Sequence, residues 1–158
     1  MYGPTTENAD RESGIPLQLR FLNSLKPNMT PEQKIKREIL IDAIANNDHL
    51  NWDGEITAEN VDKAWEEVLE NNDEDGDFLS EFRVGQVETG LQTDYSRHYE
   101  STAVARKLSD GTWVGWTYWY GGGKHGEPSS IDWISYAYEL NVHEEEKVVL
   151  VQTFTKIE

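Results

Sequence analysis

The chain contains no cysteine. That absence excludes disulfide stapling, thiol nucleophiles and cysteine zinc sites, and it suits a reducing cytoplasm. Long apolar runs are also missing. None approaches the ~18 residues a membrane span requires, so no membrane association is expected. Residues 1–14 (MYGPTTENADRESG) lack the basic and apolar regions of a secretion signal. Cations are scarce, with 14 Lys and Arg against 30 Asp and Glu and a net charge of −16. Direct nucleic-acid binding is therefore disfavoured, because phosphate contacts need Lys and Arg. Aromatic residues are not scarce. They make up 11% of the chain, and four of the six Trp (113, 116, 119 and 133) are close together. That apolar content argues against a disordered chain despite the charge.

The negative charge is concentrated. Residues 51–90 hold thirteen Asp and Glu against Lys63 and Arg83 alone, a net −11 within the total of −16. Such a block repels itself unless a cation, a basic partner or solvation offsets the cost. At 158 residues the chain is sized for one domain. We expect a loose tail over 1–13 and a single domain over 14–158, helical and acidic over 14–90 and an antiparallel sheet over 91–158.

Several elements announce themselves. Leu17, Leu19, Phe21, Leu22 and Leu25 form a short apolar group suited to docking. Thr30, Pro31 and Gln33 then make a capping box with proline at the first helical position. Ile35, Ile39, Leu40, Ala43 and Ile44 supply the apolar stripe of that helix, and Asn46-Asn47 ends it. A second helix is expected with Thr57 as its cap and Val61, Trp65, Val68 and Leu69 buried. Its outer side carries Glu59, Asp62, Glu66, Glu67 and Glu70. Asp62–Glu66 and Glu66–Glu70 are like-charged at i,i+4, which disfavours the helix. Sequences that break local rules do so where function is expected.

Beyond residue 97 the pattern becomes β. Strands are expected over 97–108, 113–120, 134–142 and 148–154. Asp110-Gly111 closes the first hairpin and Glu144-Glu145-Glu146 forms the last turn. The predicted architecture is an α+β fold, with two or three N-terminal helices packed on a four-stranded antiparallel β-meander.

Within the acidic block, Asn71, Asp73, Asp75, Gly76 and Phe78 fall at positions one, three, five, six and eight of a loop that resembles the calcium loop of EF-hand proteins. The resemblance implies Ca²⁺ held by Asn71, Asp73, Asp75, Asp77 and Glu81. The sequence departs from the pattern at position twelve, which is Phe82, with Glu81 one residue early. A loop around Asp53-Gly54-Glu55 matches less well, with His49 and Asn60 at its ends. The plainer alternative is that each Asp-Gly makes a turn and that Thr57 or Ser80 caps the next element.

The second distinctive stretch is Trp113 to Trp133, WVGWTYWYGGGKHGEPSSIDW. Its glycines let a backbone bend or approach a ligand closely, and Lys124, His125 and Glu127 offer anion or acid–base chemistry. It lacks the spacing of a phosphate-binding P-loop and the cysteine pair of zinc deaminases. Convergence of His98, His125, His143 and Glu127 on a metal is conceivable, but nothing in the spacing fixes it. The plainer reading is a hairpin loop between aromatic strands. From Tyr95 through Trp133 the sequence resembles small uncharacterised proteins of phages and prophages. That resemblance implies an accessory role in host takeover within the host cytoplasm.

Three functions are expected in turn. The first is a non-enzymatic binding protein, an inhibitor or a decoy that mimics DNA. Its acids Asp53, Glu55, Glu59, Asp62, Glu66, Glu67, Glu70, Asp73, Asp75 and Asp77 would engage a basic protein surface, one that itself binds nucleic acid, with Trp116 and Trp119 as exposed anchors. The second is a calcium-binding module at residues 71–82. The third is a small-ligand binder or enzyme built on Lys124, His125 and Glu127. The leading expectation involves no cofactor.

Overall fold

The computed structural model describes residues 28–72 and 75–158, with the backbone alone at Asp75, Gly76 and His125. The tail over 1–13 and the apolar group Leu17 to Leu25 lie outside the described residues. The described chain is an α+β fold whose helices precede an antiparallel four-stranded sheet.

Helix α1 spans Pro31–Asn46 and begins as its sequence dictates. Thr30 Oγ1 accepts the Gln33 N–H at 3.2 Å, and Gln33 Oε1 accepts the Thr30 N–H at 3.1 Å. Two donors that a helix start leaves unmatched are thereby satisfied. Ile35, Ile39, Leu40 and Ala43 are buried along one side of α1. Helix α2, Val61–Val68, starts later than expected, with Asn60 rather than Thr57 in the cap position. Thr57 acts through its backbone, its C=O accepting the N–H groups of Asn60 and Val61. Helix α3, Asp75–Arg83, winds through a stretch whose sequence suggested a loop.

The sheet runs β1 (Val87–Glu88), β2 (Glu100–Lys107), β3 (Trp113–Tyr120), β4 (Tyr138–Leu140), each antiparallel to its neighbour in chain order. The β2–β3 hairpin pairs over eight residues, from Glu100↔Tyr120 to Lys107↔Trp113. It turns through Ser109, Asp110 and Gly111, and Gly111 takes φ +86°. Leu108 N–H bonds the Thr112 C=O at 2.8 Å, closing a loop one residue longer than the two-residue turn Asp-Gly suggested. The fourth strand is β1, not residues 148–154, which carry no regular secondary structure. Likewise, the strand expected over 134–142 pairs only at Tyr138–Leu140.

Side chains alternate across a strand. Val104, Val114 and Trp116 therefore face the helices, where they share one core with Ile35, Ile39, Leu40, Val61, Trp65, Leu69 and Phe82. Trp116 stacks on Phe82 (5.5 Å) and tilts against Trp133 (5.1 Å), and Phe82 in turn stacks on Trp133 (6.3 Å). On the opposite face Gly115 lets β4 close in, because a Cβ there would sit 2.7 Å from the Tyr138 ring.

Charged groups lock α1 to the hairpin tip. Lys34 Nζ lies 2.8 Å from Glu139 and 3.7 Å from Asp110. Glu38 accepts from the Ser109 N–H at 2.8 Å and from its hydroxyl. Partial burial pushes the Asp110 carboxyl up. Hydrogen bonds from Thr112 and the charges of Lys34 and Arg37 outweigh that and hold it below the ordinary 3.8. A carboxyl lowered by folding stabilises the native state above its unfolded value, and the gain is lost as pH falls through the folded one. Wild type should thus resist urea better than Asp110→Asn at pH 7, with the gap closing below pH 3.8. A gap that persists unchanged at pH 2 to 3 would contradict this (about a unit below the unfolded value).

Candidate interaction surface

The acids of the middle region divide by the work they do. On α2 the buried positions Val61, Ala64, Trp65 and Val68 leave Asp62, Lys63, Glu66 and Glu67 facing water. Asp62 is held to α1, accepting from Lys36 Nζ at 3.2 Å and Gln33 Nε2 at 3.3 Å. Burial would lower the Lys36 pKa, but hydrogen bonds to Asp62 and Glu32 hold it above its ordinary 10.5. Glu67 pairs with Lys63 at 3.7 Å, and Glu70 accepts the Trp65 indole N–H at 3.1 Å. These three carboxylates belong partly to the fold.

The remaining acids are exposed. Asp53, Glu55, Glu59, Glu66, Asp77 and Glu81 all stand in solvent. Among the described residues, no ion pair or hydrogen bond engages the carboxylates of Asp53, Glu55, Glu59 and Glu66. Glu59, Asp62, Glu66 and Glu70 succeed one another at spacings of three or four, so they line one ridge along α2 and its approach. The loop that carries the first of them is fixed, because the Asn60 side chain accepts the Thr57 N–H at 2.8 Å and donates to the Glu55 C=O at 2.9 Å. Asp77 and Glu81 stand one turn apart on α3, a second ridge. The placement of Asp73 and of the Asp75 side chain lies outside the described residues.

Beside the first ridge lies a cleft of about 1020 Å³, lined on one wall by Glu55 and Glu59 and on the other by Lys34, Arg37, Tyr138 and Glu139. No local pattern hints at it, since its lining residues lie more than a hundred positions apart. It mixes charges of both signs and holds no grouping that marks a catalytic centre.

Two expectations need correction. Trp116 is not an exposed anchor: it is 0% exposed, and its indole N–H donates to the Arg83 C=O at 2.8 Å. Its alternation in β3 turns it onto the helices, which places Trp119 on the opposite face, half-buried. The EF-hand-like stretch is mostly helical where it is described, rather than an open loop. Asn71 lies in the short 3₁₀ turn Glu70–Asn72, and Asp77 and Glu81 lie within α3. A calcium loop needs alternate residues to turn inward on one centre, which helical backbone does not provide. Among the described residues no group of three or more His, Asp or Glu side chains could hold a metal ion. Lys124 and Glu127 stand exposed on their loop. The glycines there have structural work: Gly121, Gly122 and Gly123 all adopt positive φ, and a Cβ on Gly122 would meet the Tyr99 ring at 2.6 Å.

No protein-family model, curated protein or solved structure matches the chain. No helix among the described residues is long and apolar enough to cross a membrane.

Proposed function

We propose that the protein is a non-enzymatic binding protein whose exposed acids Asp53, Glu55, Glu59 and Glu66 engage a basic protein surface. The supporting observation is that these exposed carboxylates make no ion pair or hydrogen bond among the described residues, while Asn60 holds the loop that carries Glu55 and Glu59. A fixed row of unmatched anions selects and steers a cationic partner. A partner that itself binds nucleic acid would present such a surface, and the chain would then act as a decoy. That role fits a phage accessory protein directed at a host factor.

The test is affinity capture from a cell lysate with the immobilised chain at low and high salt. It is paired with a variant carrying Asp53→Asn, Glu55→Gln, Glu59→Gln and Glu66→Gln. Basic proteins should be retained at low salt and released as screening shortens the range of the field. The fourfold variant should bind them roughly five- to tenfold more weakly, since each exposed ion pair contributes a few tenths of a kcal/mol. Capture indifferent to both salt and the substitutions would remove the proposal.

A further inference from the structure

The C-terminal segment is the least expected part of the molecule. After β4, residues 141–158 have no regular secondary structure and every one is exposed. Val148 is 104% exposed, Leu150 87%, Phe154 87% and Ile157 94%. Soluble proteins do not normally hold a contiguous run of large apolar side chains in water, and such a run marks a contact surface. The sequence VVLVQTFT is also rich in β-branched and aromatic residues, the composition of a strand.

The sheet has a vacancy of matching kind. Among the described residues β4 is its last strand, and only one side of β4 is paired. The N–H groups of Gln86 and Thr89 reach the carbonyls of Ala105 and Ala103, so odd-numbered residues of β2 face β1 and even-numbered ones face β3. Carried across the register, Gly115 and Trp113 exchange bonds with Tyr138 and Leu140, which turns the backbone N–H and C=O of Glu139 to the free edge. An open edge of this kind invites another strand.

No described residue of the same chain fills it. The connection from β4 to the apolar run is Asn141-Val142-His143-Glu144-Glu145-Glu146-Lys147. It contains no glycine or proline to reverse the chain, and three successive Glu repel one another in a tight turn. A linker that resists closing favours exchange of the element between identical copies. We propose that residues 148–154 are a strand donated to the β4 edge of a second copy of this chain, with the exchange reciprocal across a two-fold axis. The donor and the acceptor edge are both present in every copy, so the contact is self-complementary and closes at two. This contact is independent of the acidic ridge.

The full chain should sediment with twice its 18.1 kDa mass and dissociate on dilution. Val149→Asp with Val151→Asp should give a monomer whose circular dichroism melt matches that of wild type diluted until it is monomeric, since both side chains stand exposed in the single chain. Because the chain has no cysteine, single-cysteine variants report the geometry cleanly. Asn141→Cys chains mixed with Val149→Cys chains should form a disulfide-linked pair more readily than either variant alone. A monomer at every concentration, or a dimer unaffected by the two aspartates, would overturn the proposal. A dimer that the aspartates dissolve but that yields no preferential mixed disulfide would overturn the assignment to β4.

Discussion

Trp116→Ala should lower the unfolding free energy by about 3–5 kcal/mol, the range for truncating a large buried aromatic. The indole is 0% exposed and packs against both Phe82 and Trp133, at centroid distances of 5.5 and 5.1 Å. Alanine would leave a cavity bounded by a strand, a helix and a loop that cannot all move inward together. It would also orphan the Arg83 carbonyl that now accepts the indole N–H, adding about 1 kcal/mol. Against a typical total of ~5–15 kcal/mol, the variant would sit at the margin of folding. Trp116→Phe retains most of the volume and should lose much less. Urea titrations followed by circular dichroism measure both. An alanine variant within about 1 kcal/mol of wild type would mean that the stack contributes little to stability.

The second large effect is expected at Gly85, where α3 gives way to β1. Its φ is +78°, and an added Cβ would lie 2.7 Å from the Val104 Cβ. Alanine therefore meets two penalties. The left-handed backbone costs about 1–2 kcal/mol for a residue with a side chain. Overpacking against a buried β-branched neighbour adds roughly 1–3 kcal/mol. Gly54 provides the control, with φ +86° and no atom within 4 Å of the added Cβ. Gly54→Ala should show the backbone cost alone. Equal losses in the two variants would show that Val104 yields at no cost and that the contact does not discriminate between the sites.

How much of this was legible in the sequence depends on how local each signal was. The start of α1 was readable because Thr30, Pro31 and Gln33 satisfy their own backbone within four residues. β3 was readable at both ends, and Asp110-Gly111 correctly marked its hairpin. Failure came where neighbours far along the chain decide. Val87 and Glu88 carry no strand signature, yet they pair with Ala105 and Val104 because Gly85 brings α3's exit to that edge. Residues 148–154 carry a strong strand signature but have no strand partner among the described residues, and propensity cannot supply a ladder. In the acidic block the turn reading of Asp75-Gly76 missed that Phe78, Leu79 and Phe82 recur at helical spacing and reach the core. The acids of α2 were placed correctly on its outer side, because the buried positions fixed the opposite face. The structural duties of Asp62 and Glu70 depend on Lys36, Gln33 and Trp65 and needed three dimensions.

The bonds that tie Lys34 and Glu38 to Ser109, Asp110, Thr112 and Glu139 join the first described helix to the far end of the sheet. Neither can come loose without releasing the other. Opening of that region is thus coupled over more than seventy residues of chain, and its amides should exchange with deuterium together. Past Leu140 no such tether holds the chain among the described residues, so the last eighteen residues should be open to a protease in the monomeric Val149→Asp, Val151→Asp variant, whereas 148–154 should be shielded in the wild-type dimer.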